Sequence, residues 1–241
     1  MELSVIVPAF NEEAYIGATL ESIEEAAARL RASAGAEVEI IVVDNNSSDG
    51  TAAAARGMGA RVIGEPVQGI ARARNAGARQ ATGEVLVFVD ADVLVPRTLL
   101  DAIHAAMEDG TCIGGAVAVE YHPRRSSVRL YLHAWRLLGR LTGMAQGATQ
   151  FSRRRTFDEL GGYDESLWMG EDVDFIWTLR RLARRTDARV RLLKEPRVRP
   201  SCRRFDEWPL WRILVWTNPL VIASLRRWKG AWRGWYVHPV R

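Results

Sequence analysis

Two carboxylates one residue apart, in Asp90-Ala91-Asp92, close an unbroken apolar run, Val85-Leu86-Val87-Phe88-Val89. Such a run fits a strand of a parallel sheet covered on both faces, and residues two apart on a strand point the same way. Both acids are therefore expected to face one spot at the strand's carboxyl end. That edge is where open α/β sheets bind ligands, and a hard divalent cation takes one or two carboxylates while substrate phosphates complete its shell. The chemistry suggested is a metal-nucleotide site. Asp-x-Asp alone also describes an exposed turn with two solvated acids, so the neighbouring segments decide.

Five other segments carry polar groups where strands, turns or helices begin or end. Pro8-Ala9-Phe10-Asn11-Glu12-Glu13 follows the apolar stretch Leu3 to Val7. Pro8 is expected to stop that strand, Asn11 to cap the next helix, and Glu12 and Glu13 to complement its dipole, an account that suffices by itself. Asp44 ends the second strand, ahead of Asn45-Asn46-Ser47-Ser48-Asp49-Gly50-Thr51. An acid at that edge can accept hydrogen bonds from a base or a ribose, while Ser48 or Asp49 caps the helix that follows. Gly69-Ile70-Ala71-Arg72-Ala73-Arg74-Asn75-Ala76-Gly77 sets small residues and two arginines at a helix start. Backbone N–H groups and guanidinium forks there suit a nucleotide or its phosphates, and a surface helix with solvated arginines is the plain alternative. Gly161-Gly162-Tyr163-Asp164-Glu165 is turn chemistry, and Gly170-Glu171-Asp172-Val173-Asp174-Phe175 opens a helix with two acids in its first turn. Acids at that position are often dipole partners, yet a carboxylate within reach of an acceptor hydroxyl can also take its proton as a general base.

The elements that must position these groups follow from periodicity. Leu3 to Val7, Val38 to Val43, Arg61 to Ile63 and Val85 to Val89 read as strands. Ile16, Leu20, Ile23, Ala27 and Leu30 recur at helical spacing, Asp49-Gly50-Thr51 opens a short helix closed by Gly57 or Gly59, and Gly69 to Ala81 forms another. The order βαβαβαβ implies parallel pairing and right-handed crossovers, hence an α/β fold with a single doubly wound, mostly parallel sheet and helices on both faces. Beyond Asp92 the pattern loosens. Leu99, Leu100, Ile103 and Met107 mark a helix, Cys112 to Val119 a strand, and Val128, Leu132, Trp135 and Leu138 an amphipathic helix suited to acceptor contacts. No internal repeat or low-complexity linker intervenes.

A chain of 241 residues with 48% hydrophobic content can bury one sizeable core and is short for two full domains. One domain in two halves, residues 1–122 and 123–205, with a basic, Trp-rich helical appendage over 206–241, is expected. The net charge of +4 conceals a division: residues 1–122 hold 8 Lys and Arg against 18 Asp and Glu, the remainder 25 against 11. An acidic half suits metal binding, and a basic half suits anionic lipid or phosphorylated substrates. Nucleic acid is disfavoured as a partner, because no zinc-finger spacing or RNA-binding aromatic signature accompanies the charge. Cys112 and Cys202 make neither a disulfide framework nor a metal spacing. The N-terminus lacks a basic n-region and its apolar stretch is too short for a signal peptide, so a cytoplasmic location is expected. Trp208 to Leu225, interrupted by Pro209, Arg212, Asn218 and Pro219, is borderline for spanning a bilayer and better suited to lying on one. Trp208, Trp211, Trp216, Trp228, Trp232 and Trp235 interleave with Arg212, Arg226, Arg227, Lys229 and Arg233. That composition fits either peripheral contact with anionic lipid at the inner face of the cell membrane or tryptophans packed over the fold or a second subunit.

Taken together, Pro8 to Glu12, Asp44 to Thr51, Gly69 to Gly77, Asp90 to Asp92, Gly161 to Glu165 and Gly170 to Asp174 stand in an order and spacing that resembles the family 2 glycosyltransferases of GT-A fold, over roughly residues 1 to 180. The resemblance implies a nucleotide-sugar donor (a UDP- or GDP-sugar), a divalent cation (Mg²⁺ or Mn²⁺), and inverting displacement at the anomeric carbon by a saccharide or lipid-linked acceptor. It implies that Pro8, Ala9, Phe10 and Glu12 line the donor, Asp44 holds the base, and Arg72 or Arg74 lies near the nucleotide. It further implies that Asp90, with Ala91 beside it, faces ribose or metal, that Asp92 ligates the metal, and that Asp172 of the Glu171-Asp172 pair is the general base. Processive members such as cellulose and hyaluronan synthases carry a Gln-x-x-Arg-Trp segment and multiple membrane spans. Here Ser201-Cys202-Arg203-Arg204-Phe205 stands in that region without the Gln or the Trp, so transfer of one sugar is expected rather than polymer synthesis. Arg203 and Arg204 either neutralise a diphosphate or acceptor phosphate or form a solvated basic face. Two other readings stay open. A nucleotidyltransferase would carry a basic Gly-rich loop after the first strand, where Pro8 to Glu13 is acidic. Intact Asp92 and Asp172 argue against a catalytically inactive nucleotide-sugar-binding module.

Overall fold

Alternate residues of the apolar strands go to opposite faces of one sheet. On β1 (Leu3–Ala9) the side chains of Leu3, Val5, Val7 and Ala9 enter one core layer and Ile6 the other. On β4 (Val85–Val89) the three valines join the first layer, and Leu86 and Phe88 the second. Strands buried on both sides read as continuous apolar runs for this reason.

The computed structural model describes residues 1–142 and 147–232, apart from the side chains of residues 136, 138 and 140–142. Leu138, Arg233 and Trp235 therefore lie outside the described residues. The other strands are β2 (Val38–Asp44), β3 (Arg61–Gly64), β5 (Val93–Leu94), β6 (Cys112–Val119), β7 (Thr149–Arg153) and β8 (Arg189–Pro200). The eight strands stand in the order β3-β2-β1-β4-β7-β6-β8-β5. Pairings β1–β2, β1–β4, β2–β3 and β6–β8 are parallel, whereas β7 runs antiparallel to both β4 and β6, and β5 antiparallel to β8. The sheet is mostly parallel and doubly wound, as expected.

Helices α1 (Ile16–Ala34), α2 (Thr51–Gly57) and α4 (Leu99–Glu108) cover the first face, with Ile16, Leu20, Ile23, Ala27 and Leu30 of α1 buried as their spacing predicts. Helices α3 (Ile70–Gln80), α6 (Arg154–Leu160) and α7 (Glu171–Thr186) cover the second. Gly77 lets α3 lie flat on the sheet, since a Cβ there would come within 2.4 Å of Ile6 Cγ2. A third, small core joins α5 (Ser126–Thr142) to α9 (Leu210–Trp216). With α8 (Arg203–Glu207) and α10 (Pro219–Leu225) these form the helical C-terminal region.

Some local expectations change. Pro8 lies inside β1 rather than stopping it, past the last β1–β4 pair (Ile6 with Phe88), where its missing N–H costs no ladder bond on that side. The Trp208–Leu225 stretch divides at Asn218-Pro219, Asn218 capping α10 through Leu220 N–H at 2.9 Å. No described helix is long and apolar enough to cross a membrane. The tryptophans divide too: Trp208 and Trp232 are buried, whereas Trp211 and Trp228 stand exposed.

Candidate active site

Because β1, β2, β4, β6 and β8 run the same way, their carboxyl ends open on one edge of the sheet. Asp90-Ala91-Asp92 occupies that edge as a tight turn between β4 and β5, with Asp90 C=O accepting from Val93 N–H at 3.2 Å. The middle residue is pinned: Ala91 is buried, and its C=O accepts from Thr19 Oγ1 of α1 at 2.8 Å. The two acids do not converge by strand alternation, because the chain turns directly after Val89. Asp90 accepts from Arg74, and Asp92 lies 3.4 Å from Arg203 Nη2.

Arg74 is only 1% exposed, not the solvated surface arginine of the plainer reading. Its Nη2 donates to Asp90 Oδ1 at 2.8 Å, its Nη1 to Glu171 Oε1 at 2.7 Å, and its guanidinium lies 5.1 Å from the centroid of the Tyr163 ring. One buried cation thus joins the Asp90–Asp92 turn to the acids of α7. Arg72, one turn face away, stays half exposed and pairs with Glu165 at 2.8 Å.

Gly170, at φ 76°, turns the chain into α7 and so delivers Glu171 and Asp172 to the sheet edge. Burial pushes the Glu171 carboxyl up to about 7, helped by the neighbouring Asp172 charge and opposed by Arg74. Asp172 is raised as well, first by burial, with Arg74 and the N–H groups of Val173 and Gly147 pulling the other way. Asp172 Oδ1 accepts from Val173 N–H at 2.8 Å, and Gly147 approaches so closely that a Cβ there would lie 2.4 Å from Asp172 Cβ. Gln150 of β7 donates to Asp172 C=O at 3.0 Å and accepts from Tyr163 Oη at 2.8 Å. Asn75 clamps the preceding turn, accepting from Tyr163 N–H at 2.9 Å and donating to Tyr163 C=O at 2.9 Å and Glu165 Oε1 at 3.0 Å.

On the other side of Asp92, Arg203 forms an ion pair with Glu12 and lies 4.4 Å from the centroid of the Tyr15 ring. Its side chain is 9% exposed, so Arg203 borders the candidate site and is not part of a solvated basic face. Burial raises the Glu12 carboxyl, Arg203 opposes, and Asp92 adds to the rise. The loop after β1 is tied to the loop after β2: Asn11, at φ 54°, accepts from Ser48 N–H at 2.8 Å, and Glu12 N–H donates to Thr51 Oγ1 at 2.8 Å. Asn11 is thus a loop tie rather than a helix cap; α1 begins after Tyr15 with no side-chain cap. Asp49 accepts from Thr51 N–H at 3.0 Å from one residue before the cap position of α2, which Gly50 and not Ser48 or Asp49 holds. Asp44 accepts from Ser47 N–H at 3.2 Å at the end of β2, and Ala9 C=O from Asn45 N–H at 2.8 Å, which sets Pro8, Ala9, Phe10 and Asp44 along the same edge.

Gln150 and Gly147 carried no sequence signal as site residues; Asn75 and Tyr163 lie in segments singled out for their glycines and arginines, and Arg203 was read either as a phosphate partner or as part of a solvated basic face. Arg203 reaches this edge because β8, parallel to β6, ends at Pro200, three residues before it. Among the described residues no three His, Cys, Asp or Glu gather around one point. The edge instead offers hard carboxylate oxygens at Asp92 and Glu12, and Glu12 Oε2 is buried without a hydrogen-bond partner among the described residues. That donor set fits Mg²⁺ or Mn²⁺ completed by substrate phosphates, not a closed thiolate or imidazole site.

The model of glycosyl transferase family 2 matches residues 4–185. An uncharacterised glycosyltransferase of Mycobacterium tuberculosis (strain H37Rv) is 32% identical over 139 residues, 56% of this chain and 59% of that protein. A mannosyltransferase from Pyrobaculum calidifontis, solved with GDP-Man and Mn²⁺, superposes with a TM-score of 0.66 at 26% identity over 88% of this chain and 59% of that one. Glucosyl-3-phosphoglycerate synthase from M. tuberculosis, solved with Mn²⁺, UDP and glucosyl-3-phosphoglycerate, shares the fold with a TM-score of 0.63 at 22% identity, covering 92% and 78%. The match to the curated M. tuberculosis relative spans 59% of its length. With its motifs on the carboxyl edge of a GT-A type sheet and a family match over most of its length, the chain belongs to glycosyl transferase family 2.

Proposed function

We propose that the chain transfers one sugar from a UDP- or GDP-sugar to an acceptor hydroxyl, with inversion at the anomeric carbon and Asp172 as general base. The observation that carries this is the Arg74 bridge, which sets the Asp90–Asp92 turn and the Glu171–Asp172 pair on either side of one buried guanidinium. A donor diphosphate at the turn and an acceptor hydroxyl at Asp172 would then meet across a short, rigid span. The GDP-Man and Mn²⁺ of the Pyrobaculum neighbour support such a donor.

Asp172 takes the proton of the attacking hydroxyl, which approaches the anomeric carbon from the face opposite the leaving diphosphate; inversion follows from that geometry. Its ionised form is favoured by Arg74 and by the N–H of Val173. Glu171, engaged by Arg74 through Oε1, is a positioning residue. Pro8, Ala9, Phe10, Glu12 and Asp44 line the donor side, with Arg72 at the mouth. Mg²⁺ or Mn²⁺ held by Asp92, beside Asp90, would stabilise negative charge on the diphosphate.

The test is transfer from UDP- and GDP-sugars with Mn²⁺, with the anomeric configuration of the product read by NMR. Asp172→Asn should lower transfer by roughly two to four orders of magnitude and leave the thermal shift given by nucleotide and Mn²⁺ intact. Asp92→Ala should remove that shift while the protein stays folded. If Asp172→Asn transfers normally and Glu171→Gln does not, the base is Glu171. Formation of a nucleoside-diphosphate sugar and pyrophosphate from a nucleoside triphosphate and a sugar 1-phosphate, in place of sugar transfer, would identify a nucleotidyltransferase, and binding without turnover an inactive module.

A further inference from the structure

Away from the site, the segments 123–142 and 208–232 together hold nine Arg and Lys and not one Asp or Glu. They pack on each other through Val128, Leu132, Trp208 and Ile213, and through a hydrogen bond between Tyr131 Oη and Thr217 Oγ1. With that core satisfied inward, both elements turn large apolar groups outward. Trp211 and Leu214, three apart on α9, are 66% and 46% exposed, Leu220 on α10 is 76%, and Trp228 is 64%. On α5, Leu130 and Leu137, seven apart and so on one face, are 74% and 59% exposed. An amphipathic helix in a globular protein normally turns its polar face to water, so the indoles and leucines exposed along α9, α10 and the turn at Trp228 mark an interaction site, with Leu130 and Leu137 on the side of α5 opposite Val128 and Leu132.

We propose that this helical region is an interfacial docking surface for an anionic bilayer. Indole and leucine side chains suit the boundary between headgroups and acyl chains, and a region whose own sequence is basic, with Arg226 and Arg227 paired to Asp174 and Asp164 of the body and Arg212 and Lys229 stacked on Trp208 and Trp168, suits anionic headgroups. A second copy of the chain is the poorer occupant, because face-to-face association would set cation against cation. The surface also abuts the site: Ile222 Cγ2 lies 3.4 Å from where a Cβ on Gly170 would stand, Arg226 Nη2 pairs with Asp174 Oδ1 at 2.8 Å, and Arg226 C=O accepts from Trp168 N–H at 2.7 Å. Docking would bring the Gly170-Glu171-Asp172 turn to the headgroup layer, which points to an acceptor presented by the bilayer. That last step rests on the transferase reading; the docking surface does not.

The experiment is co-sedimentation of the full chain with phosphatidylcholine vesicles, with and without phosphatidylglycerol. The chain should sediment with the anionic vesicles at low salt, stay in solution with the neutral ones, and be released as salt rises. Trp211→Ser/Leu214→Ser/Leu220→Ser should weaken partitioning about tenfold or more, with far-UV circular dichroism and the nucleotide–Mn²⁺ thermal shift unchanged. Should that variant fail to fold, Arg227→Gln/Lys229→Gln gives the second reading: weaker binding with a shallower salt dependence. A wild-type chain that ignores anionic vesicles at low salt, or a folded triple variant that binds as well as wild type, overturns the proposal. So does a wild-type dimer that the triple variant turns into a monomer. Vesicle binding without any nucleotide-dependent shift would support the docking surface and count against the transferase reading alone.

Discussion

Arg74 concentrates the electrostatics of the site in a single side chain. A guanidinium taken out of water is tolerated only when paired, and here two buried or half-buried carboxylates supply the pairing. Arg74→Met removes the cation and leaves Glu171 and Asp90 without it, so we expect a loss of about 3–5 kcal/mol in urea unfolding. Arg74→Lys should recover only part of it, because an ammonium lacks the planar fork that spans two acids. Equal stability of wild type and Arg74→Met would show that the bridge is not structural. Glu171 sets a pH dependence of definite sign. Its carboxyl is raised from 4.5 to about 7 in the folded protein, so between those values the native state keeps a proton that the unfolded chain has released. The unfolded state then binds fewer protons, and stability falls as pH rises through that window; below it the contribution is fully present. Thermal melts across that range should show the decline, and Glu171→Gln should make it shallower, the part that remains coming from Asp90 and Asp172, which burial also raises.

Elements whose sequence pattern matches their burial were legible, and those whose pattern runs against it were not. β1, β2 and β4 are apolar runs and α1 shows its buried stripe, so the nucleotide-binding half follows from periodicity. β7 is equally deep in the sheet, with Thr149, Gln150, Phe151 and Ser152 fully buried, yet reads Thr-Gln-Phe-Ser-Arg because its polar groups have partners inside. β8 alternates Arg and Lys with Val and Leu, mostly exposed, and was hidden by its charge. Close backbone approach is another feature that spacing does not reveal. Gly147 makes room for Asp172, so Gly147→Ala should displace the proposed base and lower transfer about a hundredfold with nucleotide binding retained. Gly110→Ala, where nothing lies within 4 Å, should leave transfer unchanged and serves as the control.

Over the whole molecule, the acidic first half supplies Glu12, Asp90, Asp92 and the buried Arg74, and the basic second half supplies Glu171, Asp172 and Arg203, so the site is built across both. Contacts between the halves were the least legible part, since Arg74 and Glu171 lie 97 residues apart and Glu12 and Arg203 lie 191 apart. The second of these contacts has a thermodynamic corollary. A divalent cation held by Asp92, as proposed, would compete with the Arg203 guanidinium 3.4 Å away, so its binding would be an ion exchange. Arg203 is also the first residue of α8, which leads into the docking helices. By linkage, any free energy with which a docked helical region favours one position of Arg203 is returned, with the same magnitude, to the affinity of Asp92 for the cation. How tightly such a cation would be held would then depend on where the molecule is docked as well as on its carboxylates.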